Sequence, residues 1–434
     1  MKSPAAIEMK YGNSTVTIDI SKARSVKFLQ GKEHDRIDDL KSAFEKAVTS
    51  GVTGSKPLNQ LLTKNDQVTI VVSDITRFWM RQDLICRELV NFLHDRNGIP
   101  YEHMVILVAL GTHRGHSEEE QRKIVGEEVY QKVKVINHDA EASDLKLAGT
   151  TSRGTEVWVN PLAVGRKVIL IGGTVHHLMA GFGGGRKSIL PGISGKKTIV
   201  QNHLLCLDPE LPRSNPAIGC AVLTGNPVHE DMMEAAAMVS PAFGINIITT
   251  SEGKHSHVIC GDWEKAWLKS CEIVQAAFSV PIREKADIVI ASCGGFPKDI
   301  NLYQGIKTLL NMSYAVKPGG TMIFIAECRE GGGSPDFFDW RIPLKDGALD
   351  EELRDHFTIS GYIFYAGCEA IAKGNVRMLT SFSGDLGPEV LKDMSIDGYS
   401  DLNELLKKVD FTDKSVYVMP YGSNTLPWVN ETLE

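Results

Sequence analysis

Four short segments concentrate the side chains that could do chemistry. In VVSDITRFW, Asp74, Thr76 and Arg77 directly follow an apolar run. A guanidinium there can hold a carboxylate through two parallel hydrogen bonds, although a solvated loop arginine is the plainer reading. In VALGTHRGHSEEE, Gly111 ends a second run and His113 sits in the turn that follows. An imidazole at that point can serve as acid or base near neutral pH. His116, three residues on, shows no evident task, so His113 could equally do no more than tidy the turn. The third segment, residues 172–203, reads GGTVHHLMAGFGGGRKSILPGISGKKTIVQNH. Its consecutive glycines let backbone N–H groups close on an anion. It misses a P-loop because Arg186 stands between Gly185 and Lys187. Two histidines precede the turn, and His203 follows it. In the fourth segment, CGGFPKDINLYQGIKTLL, Gln304 and Lys307 share a helical face beside Tyr303. A solvated face is the bland alternative there.

No HExxH or CxxC spacing occurs, and His229-Glu230 lacks the second histidine of a zinc-protease helix. A protein-only metal site takes three or four side-chain ligands. If one of these histidines is a ligand, something other than protein must supply the rest.

Strand-length runs rich in Val and Ile must position these residues. They are Val68–Val72, Val105–Leu110, Val168–Ile171, Ile245–Ile248, Asp287–Ala291, Met322–Ala326 and Val416–Met419. Between them lie helical patterns. Ile85, Leu89, Phe92 and Leu93 recur at helical spacing, and Ser117 with Glu120 has capping-box spacing. Alternating strands and helices predict an α/β protein with mainly parallel sheets. Polar residues at strand C-termini fall where such sheets place ligands. The length of 434 residues suits two domains. The predicted division is 1–278 and 279–405, with 406–434 packing back on the first and an active-site cleft between the two. The Gly331–Phe338 loop, GGGSPDFF, is flexible in composition and could border a cleft.

A net charge of −7 without a basic stripe argues against a nucleic-acid partner. No apolar run approaches membrane-span length, and the N-terminal residues lack a secretory apolar core, so the chain is expected in the cytoplasm. Its eight scattered cysteines read as small buried thiols.

The run H-x-x-A-G-F-x-G-G-R-K-S-x-L-P-G-I-x-x-x-K-T-I-x-x-N-H, from His177 to His203 without a gap, resembles the nickel-pincer lactate racemase family. D-x-T-R at Asp74–Arg77, G-x-H-R at Gly111–Arg114 and Y-Q-x-x-K at Tyr303–Lys307 resemble the same family, in the same order. The resemblance implies a 2-hydroxyacid racemase or epimerase that inverts C2 by hydride transfer. The implied cofactor is nickel held in pyridinium-3,5-bisthiocarboxylic acid mononucleotide, made by separate maturation proteins. By the same resemblance, Lys187 carries that nucleotide covalently and His203 is the metal ligand. Asp74, Thr76, Gly184, Gly185 and Tyr303 lie at the cofactor. His113 and His177 form the acid–base pair. Arg77, Gln304 and Lys307 hold the substrate. The chain departs from the family at Phe78-Trp79-Met80-Arg81, where an aromatic and a second arginine near the pocket would alter substrate size or charge. Lactate is one candidate; malate, other hydroxy acids and sugar acids are further family substrates.

Two other classes compete on the residues alone. An NAD-dependent hydroxyacid dehydrogenase also uses arginine and histidine, but no convincing GxGxxG follows a strand here. A non-catalytic binding protein for an anionic metabolite would need only the glycine-rich turn and its basic residues.

Overall fold

A computed structural model describes residues 6–250 and 252–430. The chain forms two compact units. One comprises Glu33–Pro209 and Asn215–Ala277. The other takes the chain up to Lys32, Glu210–Ser214 and everything from Phe278 on.

The first unit is built on six strands. Their spatial order is His255–Gly261, Phe243–Thr249, Lys167–Gly173, Val68–Ser73, Met104–Ala109 and Lys134–Asn137. All pair in parallel except His255–Gly261, which runs antiparallel to Phe243–Thr249. Val68, Ile70, Val71 and Val72 are fully buried, as strands covered on both faces require. Helix Gln82–Asp95 lays Ile85, Leu89, Phe92 and Leu93 into the core, each worth about 1.5–3 kcal/mol on full burial. Helix Glu118–Val125 starts at the predicted capping box: the Ser117 hydroxyl accepts from Glu120 N–H, and the Glu120 carboxylate accepts from Ser117 N–H.

The second unit has its own six-stranded sheet, in the order Ile396–Tyr399, Asn375–Leu379, Val316–Ile325, Ala286–Ser292, Ser415–Met419 and Ser25–Phe28. Every pairing in it is parallel. This arrangement corrects the expected division. Residues before Lys32 do not belong with the first unit, and the described part of 406–434 does not return to it. Ser415–Met419 pairs with Ala286–Ser292 on one side and Ser25–Phe28 on the other, so an early and a late segment of the chain build one sheet. Asp287 secures the join by accepting from Ser415 N–H and Oγ–H. Residues 1–5 and 431–434 of the expected division lie outside the described residues. Among the described residues, no helix is long and apolar enough to cross a membrane.

Candidate active site

Three adjacent parallel strands of the first unit deliver the candidate residues from their C-terminal ends. Val68–Ser73 is flanked by Met104–Ala109 and Lys167–Gly173. Asp74, Thr76 and Arg77 leave the first, His113 the second, and His177 and Lys187 the third. The segments are stitched together, since Gly111 N–H donates to Gly192 O at 2.9 Å.

The first contact is between Asp74 and His113. The Asp74 carboxylate is buried, 4 % exposed, and His113 Nδ1 donates to its Oδ2. Its Oδ1 accepts from Thr76 N–H at 2.9 Å and from the Thr76 hydroxyl at 2.5 Å. Burial alone would raise this carboxyl. The His113 hydrogen bond and the Arg77 charge more than offset that and hold it at about 2. Arg77 Nη1 donates to Thr76 Oγ1 at 2.9 Å. Nothing local in the sequence links Asp74 to His113; the resemblance places Asp74 only at the cofactor. The register of the two strands, Ser73 opposite Ala109, is the signal that could have found the pairing.

In the third segment the two consecutive basic residues part company. Arg186 is fully buried: it donates to the carbonyls of Phe182 and Ala180, and its guanidinium lies 4.0 Å over the Trp267 ring. Lys187 Nζ lies 3.0 Å from His177 Nε2. The N–H groups of Met179 and Ala180 converge on His177 Nδ1 at 3.2 and 3.3 Å, so Nε2 is the atom turned toward the lysine. The neighbouring His176 packs instead against Phe182, at 5.3 Å between ring centres. His203 is 2 % exposed on helix Lys196–Leu204 and donates from Nδ1 to Ile199 O at 2.9 Å. Burial, then the Lys187 charge, pushes its pKa down to about 3. The neutral ring therefore carries its lone pair on Nε2.

Nothing local in the sequence marks Trp267. Its Nε1 donates to Gly183 O at 2.9 Å, and it lies against Gly185 as well as Arg186. Gly185 has φ +53°, and a Cβ there would stand 2.4 Å from the Trp267 ring. Packing thus accounts for this glycine without any phosphate. Gly185→Ala is expected to cost about 1–3 kcal/mol, from overpacking and a left-handed backbone. A urea midpoint equal to wild type would contradict this.

The departing residues also find packing roles. The Trp79 ring lies against Gly173, which has no side chain to displace it. The Phe78 ring sits 5.5 Å from the Arg81 guanidinium and 5.1 Å from Lys123 Nζ. Arg81 is engaged by Asp83 through two hydrogen bonds of 2.9 and 2.8 Å.

Buried histidines give this unit an acid weakness. Burial pushes His176 down to about 4; burial and the Arg186 charge push His229 down to about 3. Below the ordinary value near 6.5 the unfolded chain binds protons that the folded chain refuses. Stability is therefore full above about pH 6.5 and falls as pH drops toward those folded values, by up to about 1.4 kcal/mol per pH unit for each ring. Urea midpoints at pH 7, 6 and 5 are expected to fall in that order; a flat series would contradict the assignment.

Comparison with known proteins matches residues 11–213 to the lactate racemase N-terminal domain and 282–359 to the lactate racemase C-terminal domain. The lactate racemase of Thermoanaerobacterium thermosaccharolyticum is 31 % identical over 438 residues, spanning 97 % of this chain and 99 % of its own. The chain belongs to the lactate racemase family. The lactate racemase of Lactiplantibacillus plantarum is 31 % identical over 338 residues, 77 % of each chain. The solved lactate racemase apoprotein of T. thermosaccharolyticum superposes with a TM-score of 0.85 at 30 % identity, covering 98 % of this chain and all of that one. Family membership makes the protein an isomerase, a racemase, and sets aside the dehydrogenase and binding-protein readings.

In this lactate racemase family member, Tyr303, Gln304 and Lys307 lie in the second unit on helix Leu302–Ala315. Asn301 caps that helix by accepting from Gln304 N–H at 2.9 Å, and Lys307 Nζ donates to Gln304 Oε1 at 2.7 Å. The Gly331–Phe338 loop is pinned rather than loose. Gly331 O and Gly332 O accept from the N–H groups of Leu302 and Tyr303, Asp385 holds Gly332 N–H at 2.7 Å, and Phe337 is fully buried beside Tyr303.

Proposed function

We propose that this racemase inverts C2 of a 2-hydroxy acid, lactate or a relative, using a nickel-pincer nucleotide held covalently at Lys187. The observation that carries the reading is Lys187 Nζ at 3.0 Å from His177 Nε2, with His203 buried on the following helix, Lys196–Leu204. Among the described residues, no three His, Cys, Asp or Glu side chains gather as a metal cage. One neutral imidazole beside one lysine amine is a donor set that suits a metal arriving with its own organic ligands. The residues present fit that group, with His203 Nε2 as the protein ligand, Lys187 as the tether, and the backbone of Gly184 and Gly185 near the phosphate. Asp74, Thr76 and Tyr303 complete the proposed cofactor contacts, and loading depends on the maturation proteins as partners.

When bound, the group supplies the acceptor and donor for the C2 hydrogen; the chain does the rest. Arg77, whose charge helps keep the buried Asp74 carboxylate ionised, binds the substrate carboxylate. Asp74 accepts from His113 Nδ1, so the neutral ring presents a bare Nε2. That atom takes the substrate hydroxyl proton, and the carboxylate stabilises the imidazolium that forms. His177 is the second member of the proposed pair and serves the opposite enantiomer. Gln304 and Lys307 orient the substrate oxygens. A planar 2-keto acid lies between the two hands, and excluding water keeps it from escaping.

The test is the fate of a C2 deuterium. With the loaded enzyme in ordinary water, a C2-deuterated substrate is expected to racemise with its label retained, across a panel of hydroxy acids that identifies the best substrate. Washout of the label to solvent would mean that C2 loses a proton, and the proposal would fail.

A further inference from the structure

His116 lies three residues beyond His113 and is buried. Its Nε2 accepts Ile75 N–H at 2.8 Å. Ile75 opens the 3-10 turn Ile75–Met80, so its amide is one of the donors such a turn leaves without an internal partner. The next amide, Thr76 N–H, goes to Asp74 Oδ1, and the other oxygen of Asp74 holds His113. His116 and Asp74 thus satisfy the start of one turn together. His116 is itself fixed from two sides. Its carbonyl accepts from Asn137 Nδ2 at 2.8 Å, and the next residue, Ser117, is locked in the capping box with Glu120.

The charged and titratable groups facing this ring are Asp74, Glu120, Arg114 and His113. Glu120 Oε2 stands 3.8 Å from His116 Nδ1, beyond hydrogen-bond reach, and Arg114 grips both oxygens of that carboxylate at 2.8 and 2.6 Å. An imidazole that accepts at Nε2 is neutral with its proton on Nδ1, since an imidazolium has no acceptor. Burial favours that neutral form and lowers the pKa.

We propose that His116 is a positioning residue for His113: it fixes the Ile75 amide and hence the Asp74 carboxylate, which keeps the His113 proton on Nδ1 and leaves Nε2 bare. Its consequence for turnover rests on the proposed role of His113, but the geometry can be tested without turnover. The experiment uses the full chain with nitrogen-15 in the histidine rings. Ring-nitrogen resonances of His113 are read at alkaline pH, in wild type and variants. In wild type, Nδ1 is expected at the N–H position and Nε2 at the bare-nitrogen position.

His116→Phe keeps a ring but has no acceptor, and is expected to move the His113 pair toward the Nε2–H form. His116→Gln offers Oε1 to the same amide and is expected to restore the wild-type pattern, a rescue that mere packing would not give. Ile75→Pro removes the amide itself, at a turn position where Asp74, with φ −71° and ψ 176°, tolerates a following proline. It is expected to reproduce the Phe shift and covers the case in which the Phe variant does not fold. A folded His116→Phe or Ile75→Pro chain with the wild-type His113 tautomer would overturn the proposal, as would equal shifts in the Gln and Phe variants. If the shifts occur while His113→Ala still racemises, the positioning stands and the catalytic assignment of His113 falls.

Discussion

Alanine at Lys187 is expected to abolish the covalent adduct and reduce racemisation to background. The amine is the only nucleophile that the proposal places at the attachment point, and Nζ lies 3.0 Å from His177 Nε2. Arg186, although adjacent, cannot take over. Its guanidinium is committed to two backbone carbonyls and the Trp267 face, and a guanidinium stays protonated where an amine can be freed for attack. Lys187→Arg is therefore expected to fail as completely as Lys187→Ala, while both fold. Intact-protein mass after coexpression with the maturation proteins is the check. An adduct that persists on either variant would move the attachment elsewhere.

The second large effect belongs to the two histidines. His113→Ala and His177→Ala are each expected to lower racemisation by about 10²–10⁴-fold, the usual contribution of a positioned acid or base. Both variants are expected to keep the adduct and the nickel, because neither ring is the proposed tether or ligand. The His113 side chain is 44 % exposed, so its removal takes little from the core. The double variant is expected to fall well short of the product of the single losses, since the proposed pair would act as one unit. Rates in both directions for each variant are the measurement, and full activity in either would remove that residue from the pair.

Much of this site is legible in the sequence because strand ends announce themselves. An apolar β-branched run followed at once by Asp74, Gly111 or Gly172 marks both the strand and the point where its chain becomes available for chemistry. The capping box at Ser117 reads directly because its two residues touch within one helical turn. Legibility fails where the partner is remote. The Asp74–His113 bond, the His116–Ile75 bond and the Trp267 plate under Gly185 and Arg186 each join segments that only the sheet register brings together. The same cause explains the misplaced chain ends. Ser25–Phe28 is a short, largely exposed edge strand without an apolar signature, and its partner Ser415–Met419 comes from the far end of the chain. Glycine composition misleads in a different way. The Gly331–Phe338 segment reads as flexible, yet Asp385 and two buried phenylalanines hold it against a helix start.

The proposed nickel nucleotide at Lys187 is read most simply from intact mass and metal analysis of the wild-type protein. After coexpression with the cofactor maturation proteins, an added mass of nucleotide size and about one nickel per chain are expected. An unmodified mass without nickel, under conditions that mature a known lactate racemase, would contradict the proposal.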